Sequence, residues 1–303
     1  MWRRARVAVV VVLALGAVSA CVGGTAADAS EGAKVDVVAA FYPVAYAAQR
    51  VGGDKASVVN LTPAGAEPHD LELTPKQIDT VLDADVAFVM GRGFQPAVEA
   101  AARNRDGATV VVLDRLRAEA RAAGTKLDTS DPHVWLDPVS MRAIVREVQT
   151  ALTKADPKGR VVYARNADAF VAELDALDER FRTGLADCDR TLVVTAHEAF
   201  GHLARRYGLR QEGVAGLEPD AEPDPRRLAA LADLSRREGV TVVFTEELVS
   251  PRIAETLARE AGVRTAVLGP LEGLTAQAQR RGETYVSVMD ENLGQLRSAL
   301  GCR

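Results

Sequence analysis

The sequence predicts an α/β protein of two lobes, each with a mostly parallel sheet flanked by helices, joined by one long linking helix. Short runs rich in β-branched residues alternate with amphipathic stretches almost throughout, which is the pattern of parallel strands covered by helices. The alternation runs through four strands before residue 157 and four more after residue 185. Between them apolar residues recur at helical spacing, at Val162, Ala169, Leu174, Leu177, Phe181 and Leu185, and no glycine interrupts the stretch from Gly159 to Gly184.

In chain order, the first half predicts strands over 35–40, 56–61, 86–90 and 109–113, each a short Val/Ala/Thr-rich run. Helices fall between them at 44–51, 76–83 and 96–103, the last two opened by Pro75 and Pro96. Another helix starts at Pro138, with Asp137 placed to cap it. The charges of the linking stretch, Glu173, Asp175, Asp178, Glu179 and Arg180, read as its solvated face. The second half predicts strands over 191–195, 211–215, 241–245 and 264–268, with helices near 200–207, 226–238 and 252–261. A final amphipathic helix over 285–300 packs on the second lobe.

A chain of 303 residues with 48% hydrophobic and 26% charged residues is long enough for two compact lobes. The formal net charge of -5, with no Lys/Arg run beyond the first residues, excludes a nucleic-acid partner. Arg3, Arg4 and Arg6 ahead of an apolar run over 7–18 read as an export signal, too short to span a bilayer comfortably. The run ends in Val18-Ser19-Ala20-Cys21, which resembles the lipobox of bacterial lipoproteins, where the cysteine is lipidated and becomes the first mature residue. The alternative is an ordinary cleavage site with an incidental cysteine. Expected boundaries are a signal peptide over 1–20, a Gly/Ala/Ser-rich tether over 21–33, a first lobe over 34–156, the linking helix over 157–185 and a second lobe over 186–303.

Export bears on the other two cysteines, since thiols outside the cytoplasm tend to be oxidised. Cys188 and Cys302 are expected to form a disulfide across a loop of more than a hundred residues. Such a bond contributes about 4 kcal/mol on the chain-entropy model. Two buried free thiols are the alternative.

The chain has four histidines, and three sit in suggestive local contexts. His69, in Gly65-Ala66-Glu67-Pro68-His69-Asp70, follows a predicted strand. His133, in Asp131-Pro132-His133-Val134-Trp135-Leu136-Asp137-Pro138, precedes a helix, and His197 follows the strand over 191–195. All three are expected on loops outside the carboxyl ends of strands, where open α/β sheets place ligands. Imidazole is a preferred Zn2+ ligand, and three imidazoles with one oxygen donor complete a tetrahedron. His202 stands five residues after His197. At about 100° per residue it turns away from His197, unlike the i, i+4 pair of a metalloprotease helix.

These motifs resemble those of the exported metal-binding lipoproteins of bacterial ABC importers, the zinc and manganese solute-binding family, in the same order. The likeness runs over about 35–300 and continues through Phe200, Gly201, Arg206-Tyr207, Gly208-Leu209, Glu222-Pro223, Phe244-Thr245-Glu246 and Pro270-Leu271-Glu272-Gly273. The resemblance implies metal bound between the lobes with little hinge motion, and delivery to an ATP-driven membrane permease. It implies a membrane attachment through the lipid on Cys21, and a monomer is expected. Members that favour manganese carry a carboxylate at the third position, and His197 tilts the cargo toward Zn2+ over Mn2+ or Fe2+. Glu272 is the carboxylate nearest the family's fourth donor position, with water as the alternative. The His-rich loop of many zinc binders is missing, since 114–130 holds no histidine. Asp70, Asp131 and Glu222 are candidates to hold the outer ring nitrogens. Two other classes stay open: an exported zinc hydrolase with water in the fourth position, and a surface adhesin. No enzymatic activity is the favoured expectation.

Overall fold

The computed structural model describes Trp2 and residues 33–303 apart from 220, 222 and 223. The export segment, Cys21 and the tether through residue 32 lie outside the described residues. The compact unit is residues 33–303. No helix among the described residues is long and apolar enough to cross a membrane.

The first lobe runs β1 (Val35–Ala39), α1 (Tyr42–Gly52), β2 (Ala56–Asn60), α2 (Pro75–Asp83), β3 (Val86–Val89), α3 (Pro96–Arg103), β4 (Ala108–Val111), α4 (Val112–Ala122) and α5 (Pro138–Ala155). The linking helix α6 (Arg160–Gly184) follows. The second lobe runs β5 (Leu192–Thr195), α7 (Gly201–Arg206), β6 (Arg210–Gly213), α8 (Pro225–Arg237), β7 (Val242–Thr245), α9 (Arg252–Ala261), β8 (Arg264–Val267), α10 (Ala276–Arg280) and α11 (Tyr285–Leu300). The sheets have orders β2-β1-β3-β4 and β6-β5-β7-β8, and every pairing is parallel. The two lobes therefore share one topology. The central strands β3, β5 and β7 are buried along their whole length, whereas the edge strand β8 is mostly exposed.

Local chemistry explains where the helices begin. Thr74 and Gln77 form a reciprocal capping box ahead of Pro75 at α2. Asp137 accepts from the Val139 N–H at α5, the capping role its position predicted. Two elements depart from expectation. The strand over 109–113 stops at Val111, and Val112 and Leu113 open α4. The stretch over 114–130 is thus partly a helix, whose charged face hid the few apolar residues that it buries. The short α10 was not foreseen either.

The linking helix α6, about 37 Å long at 1.5 Å per residue, packs against α1 and α5 of the first lobe and α11 of the second. Asp178 on α6 accepts from Arg206 (2.7 and 2.6 Å) and from the Tyr207 hydroxyl (2.9 Å). Arg206 also lies 3.2 Å from Asp137. Cys188 and Cys302, just beyond the ends of α6 and α11, are disulfide-bonded. One apolar core runs from Val38 and Phe88 through Trp135 and Phe170 to Phe244, Leu268 and Leu296. A smaller core, with Leu231, Val243 and Leu257, lies beneath α8 and α9. Continuous packing across both lobes disfavours their opening as rigid bodies, because separating them would expose that core to water.

Candidate metal centre

His69 lies on the loop after β2, His197 on the loop after β5 and Glu272 on the loop after β8. His133 is the exception to the expected placement. β4 runs directly into α4, so His133 arrives from the α4–α5 connection, immediately ahead of a single 3-10 turn at Val134–Leu136. The four side chains meet in the interior, with one candidate ligand atom from each within 4.8 Å of all the others. His133 and His197 are fully buried, Glu272 is 1% exposed and His69 is 6% exposed.

The distances fit a small cation. Glu272 Oε1 lies 3.0 Å from His133 Nε2, 3.2 Å from His197 Nε2 and 3.4 Å from His69 Nε2. The Nε2 atoms of His133 and His197 are 3.4 Å apart. A tetrahedron with zinc-to-ligand bonds of about 2.0–2.1 Å has edges of about 3.3 Å. These four of the six separations fall around that value, and all six are within 4.8 Å.

Each imidazole is oriented by a carboxylate on its other nitrogen. Asp131 Oδ1 lies 2.9 Å from His133 Nδ1, Glu246 Oε1 lies 2.8 Å from His197 Nδ1, and Glu218 Oε2 lies 3.0 Å from His69 Nδ1. With the proton on Nδ1, every Nε2 presents a lone pair to the centre. Backbone N–H groups hold the same carboxylates: His133 donates to Asp131 (3.0 Å) and His197 to Glu246 (3.1 Å). His69 instead donates to Glu67 (2.8 Å).

Asp131 is itself fixed from behind. His202 Nε2 lies 3.0 Å from its backbone oxygen, and Arg205 lies 3.8 Å from its carboxylate. A Cβ at Gly201 would come within 2.7 Å of Asp131 Oδ2, so a side chain there would push aside the carboxylate that orients His133. His202 is on α7 while His197 is on the loop before it, so helical spacing does not relate the two; His202 is not among the four converging donors and touches Asp131 from outside the cluster.

Of the three carboxylates expected to hold ring nitrogens, Asp131 does so. Asp70 is exposed and makes no hydrogen bond to the histidines among the described residues, and Glu222 lies outside them. Glu246 and Glu218 take the two remaining positions. Glu246 stood in a motif noted in the sequence without a role assigned to it. Glu218 carried no local signal, because a loop carboxylate acquires this role only when the second lobe folds against the first.

The electrostatics are those of a cation trap. Burial disfavours charge on His197, but Glu246 and Glu272 outweigh it and raise its pKa well above the ordinary value. Burial likewise opposes charge on His69, and Glu272, Glu67 and Glu218 raise it. Burial pushes Glu272 up, yet hydrogen bonds from His133, His197 and His69 pull it well below the carboxylate range. Burial and repulsion from Glu272 push Glu67 up to about 8. A divalent ion at the centre would replace the imidazolium protons as the partner of Glu272.

Residues 37–299 match the family model described as zinc-uptake complex component A, periplasmic (ZnuA). The chain belongs to the ZnuA family. A ZnuA-family relative, the high-affinity zinc uptake system protein ZnuA of Bacillus subtilis, is 34% identical over 284 residues, covering 89% of each chain. The zinc-binding lipoprotein AdcA of Streptococcus pneumoniae is 34% identical over 277 residues, covering 87% of this chain but 55% of that protein. The chain therefore spans little more than half of the pneumococcal relative. The solved Zn(II)-bound ZnuA-like domain of that AdcA superposes with a TM-score of 0.74 at 34% identity, covering 88% of this chain and 99% of the domain. The laminin-binding protein Lmb of Streptococcus agalactiae, described as having adhesin and metal-transporting activity, superposes at 0.78 and 28% identity, with 88% and 99% covered. ZnuA-family membership and the two-lobed fold thus agree.

Proposed function

We propose that this protein is an exported, lipid-anchored capture component that binds one Zn2+ through His69, His133, His197 and Glu272 and delivers it to the permease of an ABC importer. The observation that carries the reading is the convergence of three Nε2 atoms on Glu272 Oε1 at 3.0, 3.2 and 3.4 Å, with a carboxylate behind every ring. A closed His3Glu set suits zinc, which tolerates mixed nitrogen and oxygen donors and needs no redox chemistry. Mn2+ and Fe2+, which favour more oxygen donors, are the lesser cargoes. The names of the Bacillus and Streptococcus relatives point to zinc as well.

All four donors come from one chain, so a monomer suffices for capture. The lipid on Cys21 would keep the protein at the outer face of the cell membrane, near its permease. Catalysis is disfavoured, because hydrolytic zinc sites keep one position open for water and here Glu272 stands in the fourth position. Adhesion is a second activity to test, motivated by the description of Lmb.

The deciding experiment is metal analysis with competitive titration of Zn2+ against Mn2+ on the soluble chain lacking residues before Val22, beside a triple His69/His133/His197 alanine variant. One tightly held zinc per chain, lost in the variant, is the expected result. A chain without stoichiometric metal would overturn the reading.

A further inference from the structure

Glu272 is fully buried, yet it is carried by a loop rather than by a strand or helix, so something must fix that loop before the carboxylate can face three imidazoles. The pins are visible on both sides. Gly269 is held by Asn292 of α11 through two hydrogen bonds: the Gly269 N–H donates to Oδ1 (2.8 Å) and Nδ2 donates to the Gly269 carbonyl (2.7 Å). The Pro270 carbonyl accepts from the indole Nε1–H of Trp135 (2.8 Å). Past the carboxylate, the Leu274 carbonyl accepts from the N–H of Gly65 (2.9 Å). Leu271 lies between the pins at φ 58° while 2% exposed, a left-handed conformation that a bulky residue keeps only when its surroundings enforce it.

Two of these pins come from the other lobe, and from the loops of the other ligands. Trp135 is two residues beyond His133, and Gly65 is four residues before His69. Trp135 is fully buried, its ring packed against Phe41 and Phe94 with centroids at 4.7 and 5.5 Å. Its carbonyl accepts from the Tyr285 hydroxyl (2.6 Å) at the start of α11. Packing by the ring and donation by the N–H are thus separable.

We propose that Trp135 is a positioning residue for the fourth metal donor: its indole N–H fixes the Pro270 carbonyl and thereby sets where the Glu272 carboxylate stands relative to His133. This rests on the zinc-capture reading above. The two lobes then do not present independent half-sites. The loop that brings His133 also sets the register of Glu272, so the spacing between first-lobe and second-lobe donors is fixed inside the core.

Trp135→Phe keeps an aromatic ring and removes the donor. Zinc affinity, measured by chelator competition, is expected to fall about tenfold, in line with the loss of an outer-shell partner, with one zinc per chain retained. The discriminating measurement is the double variant. In a Glu272→Gln background, Trp135→Phe should cost nothing further, because its effect passes through the Glu272 carboxylate. Asn292→Ala, which frees the same loop from the other side, should show the same background dependence.

Equal losses in both backgrounds, or a wild-type affinity in Trp135→Phe, would overturn the inference while leaving zinc capture standing. Wild-type protein that holds no stoichiometric zinc would overturn the capture reading, and this inference with it. If Trp135→Phe does not fold, Asn292→Ala decides by the same comparison.

Discussion

Glu218 lies 3.0 Å from His69 Nδ1 with its own side chain 66% exposed, whereas Glu246, on the same nitrogen of His197, is 2% exposed. A hydrogen bond to a solvated carboxylate is readily replaced by water, while one to a buried carboxylate is not. Glu246→Ala is therefore expected to weaken zinc binding by about 10–100-fold, the range typical of outer-shell partners. Glu218→Ala should weaken it by less than about threefold, by comparison with that range. Chelator competition on the two variants checks the order, and the reverse order would mean that exposure does not rank these contacts.

Zinc affinity should fall with acidification, beginning above pH 6.5. Metal binding requires neutral imidazoles, and both His69 and His197 have raised pKa values in the metal-free protein. Protons therefore compete for the site at a higher pH than they would for free imidazole. Competition titrations between pH 5 and pH 9 test this, and a flat profile would contradict a histidine site.

The metal-free protein should show the opposite trend. A histidine whose pKa is raised by folding contributes stability that is complete below its unfolded value, about 6.5, and lost as pH rises through the folded value. On this account His197 and His69 make the metal-free protein more stable near pH 6.5 than near pH 9, while the gain from added zinc shrinks as pH falls. Thermal melts with and without zinc at the two pH values measure both slopes, and a metal-free melting temperature that rises toward pH 9 would argue against charged histidines there.

His197→Ala removes a fully buried donor and leaves Glu246 and Glu272 facing each other without it. Zinc should no longer be held in stoichiometric amount. The thermal stabilisation by zinc, about 4 kcal/mol when the metal is present at 1,000 times Kd, should disappear in the same variant. Calorimetry with added zinc reads both effects, and an undiminished shift would place the metal elsewhere.

The disulfide closes a loop with a sequence separation of 114, at the ends of α6 and α11, and involves none of the four candidate metal donors. Replacing Cys188 and Cys302 together by serine should lower unfolding stability by up to about 4–5 kcal/mol on the chain-entropy model. Zinc affinity should stay within about twofold, since sites without shared partners act nearly independently. Urea denaturation and zinc titration on one preparation separate the two effects.

The parts of the fold most legible in the sequence are those governed by local rules. The helices over 96–103, 252–261 and 285–300 coincide with α3, α9 and α11, because a proline start or an apolar stripe marks each of them. The Asp137 cap was legible for the same reason. The α4 helix was not, since it buries only Val112, Leu113 and Leu116 and its other residues are mostly charged or alanine. His69, His133 and His197 were singled out from their local contexts and Glu272 from the family resemblance, and the fold brings all four together.

By itself, then, the sequence determined the α/β class, the repeated lobe, the long linking helix and the three candidate histidines. These depend on periodicity, capping chemistry and residue type, all of which act over a few neighbouring positions. Only the tertiary structure decided that Glu246 and Glu218 orient two of the imidazoles, that His133 arrives from a helical connection, and that Trp135 reaches the loop of Glu272. Those relations join residues as far apart as 149 positions. They exist because the two sheets share one core, and short-range pattern carries no record of which loops that core will bring together.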